Sequence, residues 1–270
     1  MKKLCIIILF LTATTNIFAD SVFKLNKAKD SILLGTGLLL TGSDFVLDMG
    51  LKINRQTFDE NQTFNKDDVN SFDRFFMHDY SFTLDRVAGN VFLYPALLAP
   101  ALLLTQKSQN TKNDLAAYGI MYAETLLIAN GIKEISKLAV NRYRPMCYFD
   151  TGDSHGYYER TGDFANSFMS GHATMAFAGA TFATYVFCRD FPDSPWRFAV
   201  AGGAYSLALA TAAVRVLSGN HFVTDVLAGA VTGTLAGFLV PWLHTLGSDS
   251  SKENIQLAAA PNSFSVRFVF

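Results

Sequence analysis

The chain has 270 residues, half of them hydrophobic and only 17% charged, with a formal net charge of −1. This balanced charge, without a dense basic run, argues against a nucleic-acid-binding protein. The mean hydropathy of +0.21 is high for a soluble protein but low for one buried entirely in a bilayer. After residue 85 no linker rich in Pro, Gly or Ser interrupts the sequence, which favours one helical core.

The N-terminus has the features of a secretory signal. Lys2 and Lys3 precede an apolar stretch that ends near the small residue Ala19. We predict a signal peptide or an uncleaved signal anchor over residues 1–19. Either form implies export from a bacterial-type cytoplasm.

Two further regions give little structural information. Within 20–86, which we predict to be an exported N-terminal region, Asp44 and Asp48 end an apolar run that is too short to span a bilayer. The C-terminal tail, 246–270, has no assignable role. The alternation of residue types over 263–270 indicates a strand, but the sequence gives no partner for it.

Five apolar or amphipathic stretches predict the helices of a core over residues 87–245. They cover 87–106, 115–143, 173–188, 198–214 and 226–243. The last three are charge-free, and as helices they would span roughly 24 to 27 Å, close to the roughly 30 Å of a bilayer's hydrocarbon core. Gly229, Gly233 and Gly237 recur at a spacing that suits close helix packing. We therefore predict an all-α, membrane-embedded bundle of about five core helices, with a soluble all-α domain as the alternative.

The charges of the connections predict an orientation. If the N-terminal segment runs outward and the five helices alternate in direction, the connections 107–114 and 189–197 lie on the cytoplasmic side. These connections carry Lys107, Lys112, Arg189 and Arg197, as the positive-inside tendency requires. The helix ends at residues 144, 170 and 215–221 then meet at the outer face.

Three clusters of polar residues mark those helix ends. Ser170, Gly171 and His172 open a helix, where unpaired backbone N–H groups and the helix dipole favour an anion such as phosphate. Lys137 and Arg144 are seven residues apart, and we predict that both lie on one helix face, with Arg144 as the last helical residue before a proline.

The third cluster begins with Arg215 at the end of an apolar helix. His221 and Asp225 follow, four residues apart at the start of the last helix. An aspartate there can accept a hydrogen bond from one imidazole nitrogen and leave the other free to attack. A divalent cation would be unfavourable beside three fixed positive charges, so we predict no metal and a phosphoryl group instead.

Together these residues resemble the three-part signature of the type 2 phosphatidic acid phosphatase superfamily, which includes class A acid phosphatases and vanadium haloperoxidases. The similarity extends from residue 137 to residue 225, and every charged position of the signature is present in order. The sequence departs from the family pattern at Met169, where proline is usual, and at Val214, where serine is usual.

The resemblance implies a mechanism and an assignment of roles. His221 attacks phosphorus to form a phosphohistidine, Asp225 orients it, and His172 protonates the leaving oxygen and later activates water. The phosphate-binding residues it implies are Lys137, Arg144, Ser170, Gly171 and Arg215. No cofactor is expected, although vanadate could bind as a phosphate analogue.

The expected function is that of a lipid phosphate phosphatase in the bacterial inner membrane, with its site facing the periplasm. Its substrate could be phosphatidate, phosphatidylglycerol phosphate, an isoprenoid diphosphate or lipid A, and its oligomeric state is left open. The alternatives are a soluble periplasmic acid phosphatase of broad specificity, a vanadate-dependent haloperoxidase, and a non-catalytic membrane protein that retains the pattern.

Overall fold

The computed structural model describes residues 22–44, 46–47, 51, 62–105, 111–149, 164–246, 255–260 and 263–268. The predicted signal segment, 1–19, lies outside these residues. So does most of the connection between the first two polar clusters of the sequence.

Seven α-helices form nearly all of the described structure. They are α1 (Lys27–Asp44), α2 (Ser71–Phe75), α3 (Gly89–Leu98), α4 (Thr111–Ala139), α5 (Gly171–Asp190), α6 (Arg197–Leu217) and α7 (Val223–Thr245). A π-helical turn, Leu84–Ala88, leads into α3, and a 3₁₀ segment, Ala99–Thr105, follows it. The predicted all-α architecture is confirmed, and each of the five predicted core helices is present at its expected place in the sequence.

The helices begin and end where local chemistry favours it. Ser170 has extended backbone angles, and its hydroxyl oxygen accepts from the N–H of Ala173, so it caps α5. At the start of α7 the carboxylate of Asp225 accepts from the N–H of Phe222. After α6 the chain turns at Gly219, whose φ of 71° favours glycine. These three boundaries place the polar clusters at one end of the bundle.

Helix α5 lies at the centre, and α7 packs closely along it. A Cβ atom on Gly233 would lie 2.1 Å from the carbonyl oxygen of Thr174, and one on Gly237 would lie 2.6 Å from that of Ala178. Gly229 approaches the carbonyl oxygen of Ser170 in the same way. The spacing of these glycines therefore reflects close helix packing, as predicted.

Among the residues that the structure describes, four helical segments are long and apolar enough to cross a membrane. They are Leu84–Thr105, Asp114–Ala139, Arg197–Leu217 and Val223–Thr245. Large apolar side chains on them face outward; Leu98 and Leu104 are 67% and 65% exposed. The predicted span at 173–188 is not among the four, because the alanines, glycines and threonines of α5 make this buried central helix less hydrophobic.

The two uninformative regions of the sequence also have structure. Helix α1 packs along α4, with Gly37 against Leu127. In the tail, β2 (Ser263–Phe268) pairs with β1 (Ile255–Ala260) in an antiparallel register that places Ile255 opposite Phe268. The predicted strand is therefore confirmed and its partner identified.

Candidate active site

The helix ends surround a polar pocket of about 360 Å³. Its walls come from α3 and the turn before it, and from α4, α5 and α6 with the segments that follow α4 and α6. The lining residues are Asp85, Arg86, Asn90, Leu93, Lys133, Lys137, Arg144, Gly171, His172, Met175, Arg215, Asn220 and His221. The structure thus brings six of the eight predicted site residues into one wall; Ser170 and Asp225 lie behind it.

His221 is almost fully buried, and the tautomer of its imidazole follows from its contacts. Nδ1 lies 2.7 Å from the carbonyl oxygen of Ser167, to which it can only donate. Nε2 then carries the lone pair on the pocket side, 3.3 Å from Nη1 of Arg144. This is the arrangement that a histidine nucleophile needs.

Asp225 does not contact His221 as the sequence predicted. The nearest approach, from Nδ1 of His221 to Oδ2 of Asp225, is 3.9 Å, beyond hydrogen-bond distance. Instead the hydroxyl of Ser167 donates to Oδ2 over 2.5 Å. The predicted direct contact is wrong, because the Ser167 carbonyl occupies the donor of the imidazole. Asp225 can orient His221 only through Ser167.

Arg142 and Asp73 form a second layer that the sequence reading missed. Arg142 donates to Asp225 over 2.6 Å and to Asp73 over 2.8 Å. Asp73 also accepts from the hydroxyl of Thr224 over 2.6 Å. Burial raises the pKa of Asp73, but hydrogen bonds from Thr224, Arg142 and Asn70 outweigh it and lower the pKa below its usual value. The spacing of Arg142 within its cluster gave no sign of these contacts.

Arg144 reaches the pocket from an extended segment, not from a helix. Helix α4 ends at Ala139, and Arg144 has φ −76° and ψ 153°. The predicted shared helix face with Lys137 is therefore wrong; backbone bonding of 142–144 to 164–167 replaces the last helical turn. The guanidinium of Arg144 is buried and donates from Nη1 to the carbonyl oxygen of Asn220 over 3.0 Å.

Arg215, in the last turn of α6, has an acidic partner inside the pocket. Its Nη1 donates to Oδ1 of Asp85 over 2.5 Å, and both side chains are buried. Asp85 lies in a region to which the sequence reading assigned no chemistry. Only the fold brings it beside a residue 130 positions later.

Two lysines on α4 line the same wall. Lys137 was predicted, and Lys133, one helical turn earlier, was not. Glu134 lies between them: one of its carboxylate oxygens contacts Lys133 and the other lies 3.7 Å from Lys137. A spacing of four residues on a helix could have indicated Lys133.

The start of α5 supplies Gly171 and His172 to the pocket, whereas the hydroxyl of Ser170 caps the helix. A Cβ atom on Gly171 would lie 2.9 Å from Cδ of Lys133. The absence of a side chain at Gly171 thus leaves room for that lysine. A role for Ser170 in phosphate binding stays a prediction.

Both histidines of the pocket favour the neutral form. Burial and then the positive charges of Arg144, Arg215 and Lys137 hold the pKa of His221 well below its usual value. Burial and, next, Arg215 lower the pKa of His172 to about 3. A wall with five cationic side chains and two neutral imidazoles can bind a multiply charged oxyanion and present a nucleophile to it.

The fold defines a helical membrane protein with a polar pocket at one end of its bundle. Residues 118–247 match the model of the PAP2 superfamily. This match includes every position of the signature from Lys137 to Asp225, and it confirms the resemblance seen in the sequence.

One curated relative and one solved structure are also similar to this chain. A stretch of 94 residues, 34% of the chain, is 39% identical to the lipid A 1-phosphatase of Porphyromonas gingivalis; the match covers 20% of that protein's length. The crystal structure of the first transmembrane PAP2 type phosphatidylglycerolphosphate phosphatase from Bacillus subtilis is 19% identical. It aligns with 80% of this chain and 95% of its own, with a TM-score of 0.43.

Proposed function

We propose that this chain is a metal-independent phosphatase that hydrolyses a phosphate monoester or diphosphate of a membrane lipid through a phosphohistidine. The carrying observation is the fixed imidazole of His221, which donates from Nδ1 to Ser167 and presents Nε2 to a pocket lined by cations. The match of residues 118–247 to the PAP2 superfamily model supports the same activity.

The chemistry proceeds in two displacements. Nε2 of His221 forms a bond to phosphorus while the bond from phosphorus to the lipid oxygen breaks, and protonated His172 gives its proton to that oxygen. The phosphate's negative charge opposes the cations that lower the pKa of His172 and so favours its protonated form. Neutral His172 then takes a proton from water, whose oxygen attacks phosphorus and releases His221. Arg144, Arg215 and the α4 lysines stabilise the charge on the phosphoryl oxygens.

Exposed apolar side chains favour a membrane lipid over a soluble ester. Phe198, Leu209 and Val231 are between 59% and 75% exposed on two of the candidate spans. Such surface is costly in water and stable against acyl chains. We expect the chain to remain in the pellet after a carbonate wash of membranes, whereas release into the supernatant would favour the soluble acid phosphatase.

We place the pocket at the periplasmic face of the inner membrane, on the basis of the basic residues in the connections at its far end. The start of α1 lies at that far end, since the N–H of Lys24 donates to the carbonyl oxygen of His244, so in this orientation the start of α1 is cytoplasmic, unlike the predicted export of residues 20–86. A membrane-impermeant maleimide tests this orientation in intact cells whose outer membrane has been permeabilised. In a background without native cysteines, Asn65→Cys on the pocket side should be labelled and Asp193→Cys should not. The reverse pattern would place the site in the cytoplasm.

Phosphate release from a panel of lipids tests the function and its substrate. The panel contains lipid A, because the relative from Porphyromonas gingivalis is a lipid A 1-phosphatase, with phosphatidate, phosphatidylglycerol phosphate, an isoprenoid diphosphate and a soluble ester. Activity should disappear in His221→Ala and persist in His78→Ala. Vanadate should inhibit competitively. Full activity of the His221 variant would refute the mechanism, and halide oxidation with vanadate would indicate a haloperoxidase.

The intermediate can be trapped directly. Rapid acid-free quenching of the enzyme with a ³²P-labelled substrate should leave a label that is stable to alkali and lost in acid, as a phosphoramidate is. The label should be absent from His221→Ala and should accumulate in His172→Ala if the second displacement is the slower step of that variant. An alkali-labile label would point to a different nucleophile.

A further inference from the structure

A second cluster of ionisable side chains lies far from the phosphate pocket. Asp30 at the start of α1, Glu124 in the middle of α4 and His244 near the end of α7 each offer one ligand atom, and these three atoms lie within 4.8 Å of one another. Glu124 is about 20 Å along α4 from Lys137, at 1.5 Å per residue. The cluster is therefore separate from the chemistry proposed above.

Within the described part of the chain, the carboxylate of Glu124 lacks the hydrogen bonds that a buried charged group needs. It is fully buried, and neither of its oxygens has a hydrogen-bond partner among the residues that the structure describes. A buried carboxylate without a partner is costly and calls for a cation or a proton. The nearby ammonium of Lys29 donates elsewhere, to the carbonyl oxygens of Lys24 and Leu243 over 3.0 and 3.3 Å.

The imidazole of His244 is oriented as a ligand. Nδ1 lies 2.9 Å from the carbonyl oxygen of Val240 and can only donate to it. In the neutral ring the lone pair of Nε2 then faces Oδ1 of Asp30 at 3.1 Å and Oε2 of Glu124 at 3.4 Å. Three acceptors that face one another repel, unless a cation lies between them. A backbone carbonyl that fixes the second nitrogen is the usual support of a metal-binding histidine.

The two separations from Nε2 of His244 fit a small divalent ion. Ligand atoms about 2.0–2.1 Å from Zn²⁺ at tetrahedral angles are about 3.3 Å apart, close to the separations from Nε2 of His244. The second oxygen of Asp30 accepts from the N–H of Asn26 over 2.9 Å, which fixes that carboxylate. One imidazole and two carboxylates suit zinc, manganese or iron.

We propose that Asp30, Glu124 and His244 bind one divalent transition-metal ion, which joins α1 and α7 to α4. The ion would be structural, since the cluster lies roughly 30 Å along α7 from its first turn at 1.5 Å per residue. Our prediction of no metal was argued only for the phosphate site. Residue spacing does not indicate this cluster, because its members come from three distant segments.

Metal content and thermal stability test the proposal on the full chain, purified in detergent with a tag that contains no histidine. After chelation and re-addition of Zn²⁺, we expect one ion per chain by mass spectrometry. The melting temperature should rise by about 5 °C at a hundredfold excess over Kd. Co²⁺ in place of Zn²⁺ should give visible absorption bands of a low-coordinate site.

Matched variants distinguish this site from adventitious binding. Glu124→Gln and His244→Gln should lose the bound ion, the shift in melting temperature and the cobalt bands. His78→Ala and Asp193→Asn, a histidine and an exposed carboxylate outside the cluster, should keep all three. If the wild type shows no ion and no shift with Zn²⁺, Mn²⁺ or Co²⁺, a protonated His244 pairs with the carboxylates and the proposal is wrong. Equal shifts in wild type and Glu124→Gln would also overturn it.

Discussion

Arg142 donates from Nη1 to Oδ1 of Asp225 over 2.6 Å, and this contact anchors the support of the proposed nucleophile. The other oxygen of Asp225 accepts from Ser167, whose carbonyl oxygen accepts from His221. A continuous series of hydrogen bonds therefore runs from Arg142 to the imidazole. Because Asp225 is fully buried, Arg142 also compensates its charge.

Arg142→Ala should lower kcat by up to about a hundredfold, since a small displacement of a nucleophile has that effect. KM should change less, because Arg142 does not line the pocket. Arg142→Lys should recover part of the loss through one remaining contact, and Arg189→Ala, an exposed arginine at the far end, should be neutral. Steady-state kinetics on the best lipid substrate provide the measurement. A change in KM alone would show that Arg142 contacts substrate instead.

Ser167→Ala tests whether Asp225 acts through the serine. The substitution removes the hydroxyl but keeps the carbonyl group that binds His221, so we expect a loss of about tenfold in kcat. Asp225→Asn should lose a similar amount or more, and the double variant should lose less than the product of the two effects, because both interrupt one path. Independent, multiplicative losses in this double-mutant cycle would refute the coupling.

The lowered pKa of His221 predicts a dependence of stability on pH. In the folded chain the imidazole stays neutral, whereas in the unfolded chain it titrates near its usual value of about 6.5. The unfolded state therefore binds the extra proton as the pH falls below 6.5, and the free energy of unfolding drops. At pH 5.5 this residue lowers the free energy of unfolding by about 1 kcal/mol.

His221→Gln removes that titration. Between pH 7.5 and 5.5 the melting temperature of the wild type should fall further than that of the variant. His78→Ala should follow the wild type. If the wild type and His221→Gln lose the same number of degrees, the imidazole is not held in its neutral form.

Local sequence patterns predicted the positions of helices and of helix ends. The three charge-free runs predicted their helices, and the cluster at Ser170 predicted a helix start at the pocket. What these patterns could not give were partners brought in by tertiary structure. Distant segments of the chain supply the partners of Asp85, Asp73 and Arg142. Residue spacing cannot predict such contacts.

Asp85→Ala should destabilise the protein, because it removes the carboxylate that accepts from buried Arg215. Breaking a buried ion pair from one side costs about 3 kcal/mol. Asp85→Asn keeps an acceptor and should cost less. Unfolding in a series of denaturing detergent concentrations measures the stability of both variants. Asp67→Ala, which removes an exposed carboxylate, is the control. Equal stability of Asp85→Ala and the wild type would show that the pair contributes nothing.

The packing of α7 on α5 gives the sharpest test of the fold. A Cβ atom on Gly233 would lie 2.1 Å from the carbonyl oxygen of Thr174, whereas one on Gly202, in the second turn of α6, would meet nothing within 4 Å. Gly233→Ala must therefore push two helices apart, with a cost of about 1–3 kcal/mol from overpacking. Gly202→Ala should be neutral or stabilising, since alanine has the higher helix propensity. Because His172 and His221 sit at the ends of these two helices, Gly233→Ala should also reduce kcat. If both substitutions gave the same melting temperature and activity, the close approach of α5 and α7 would be disproved.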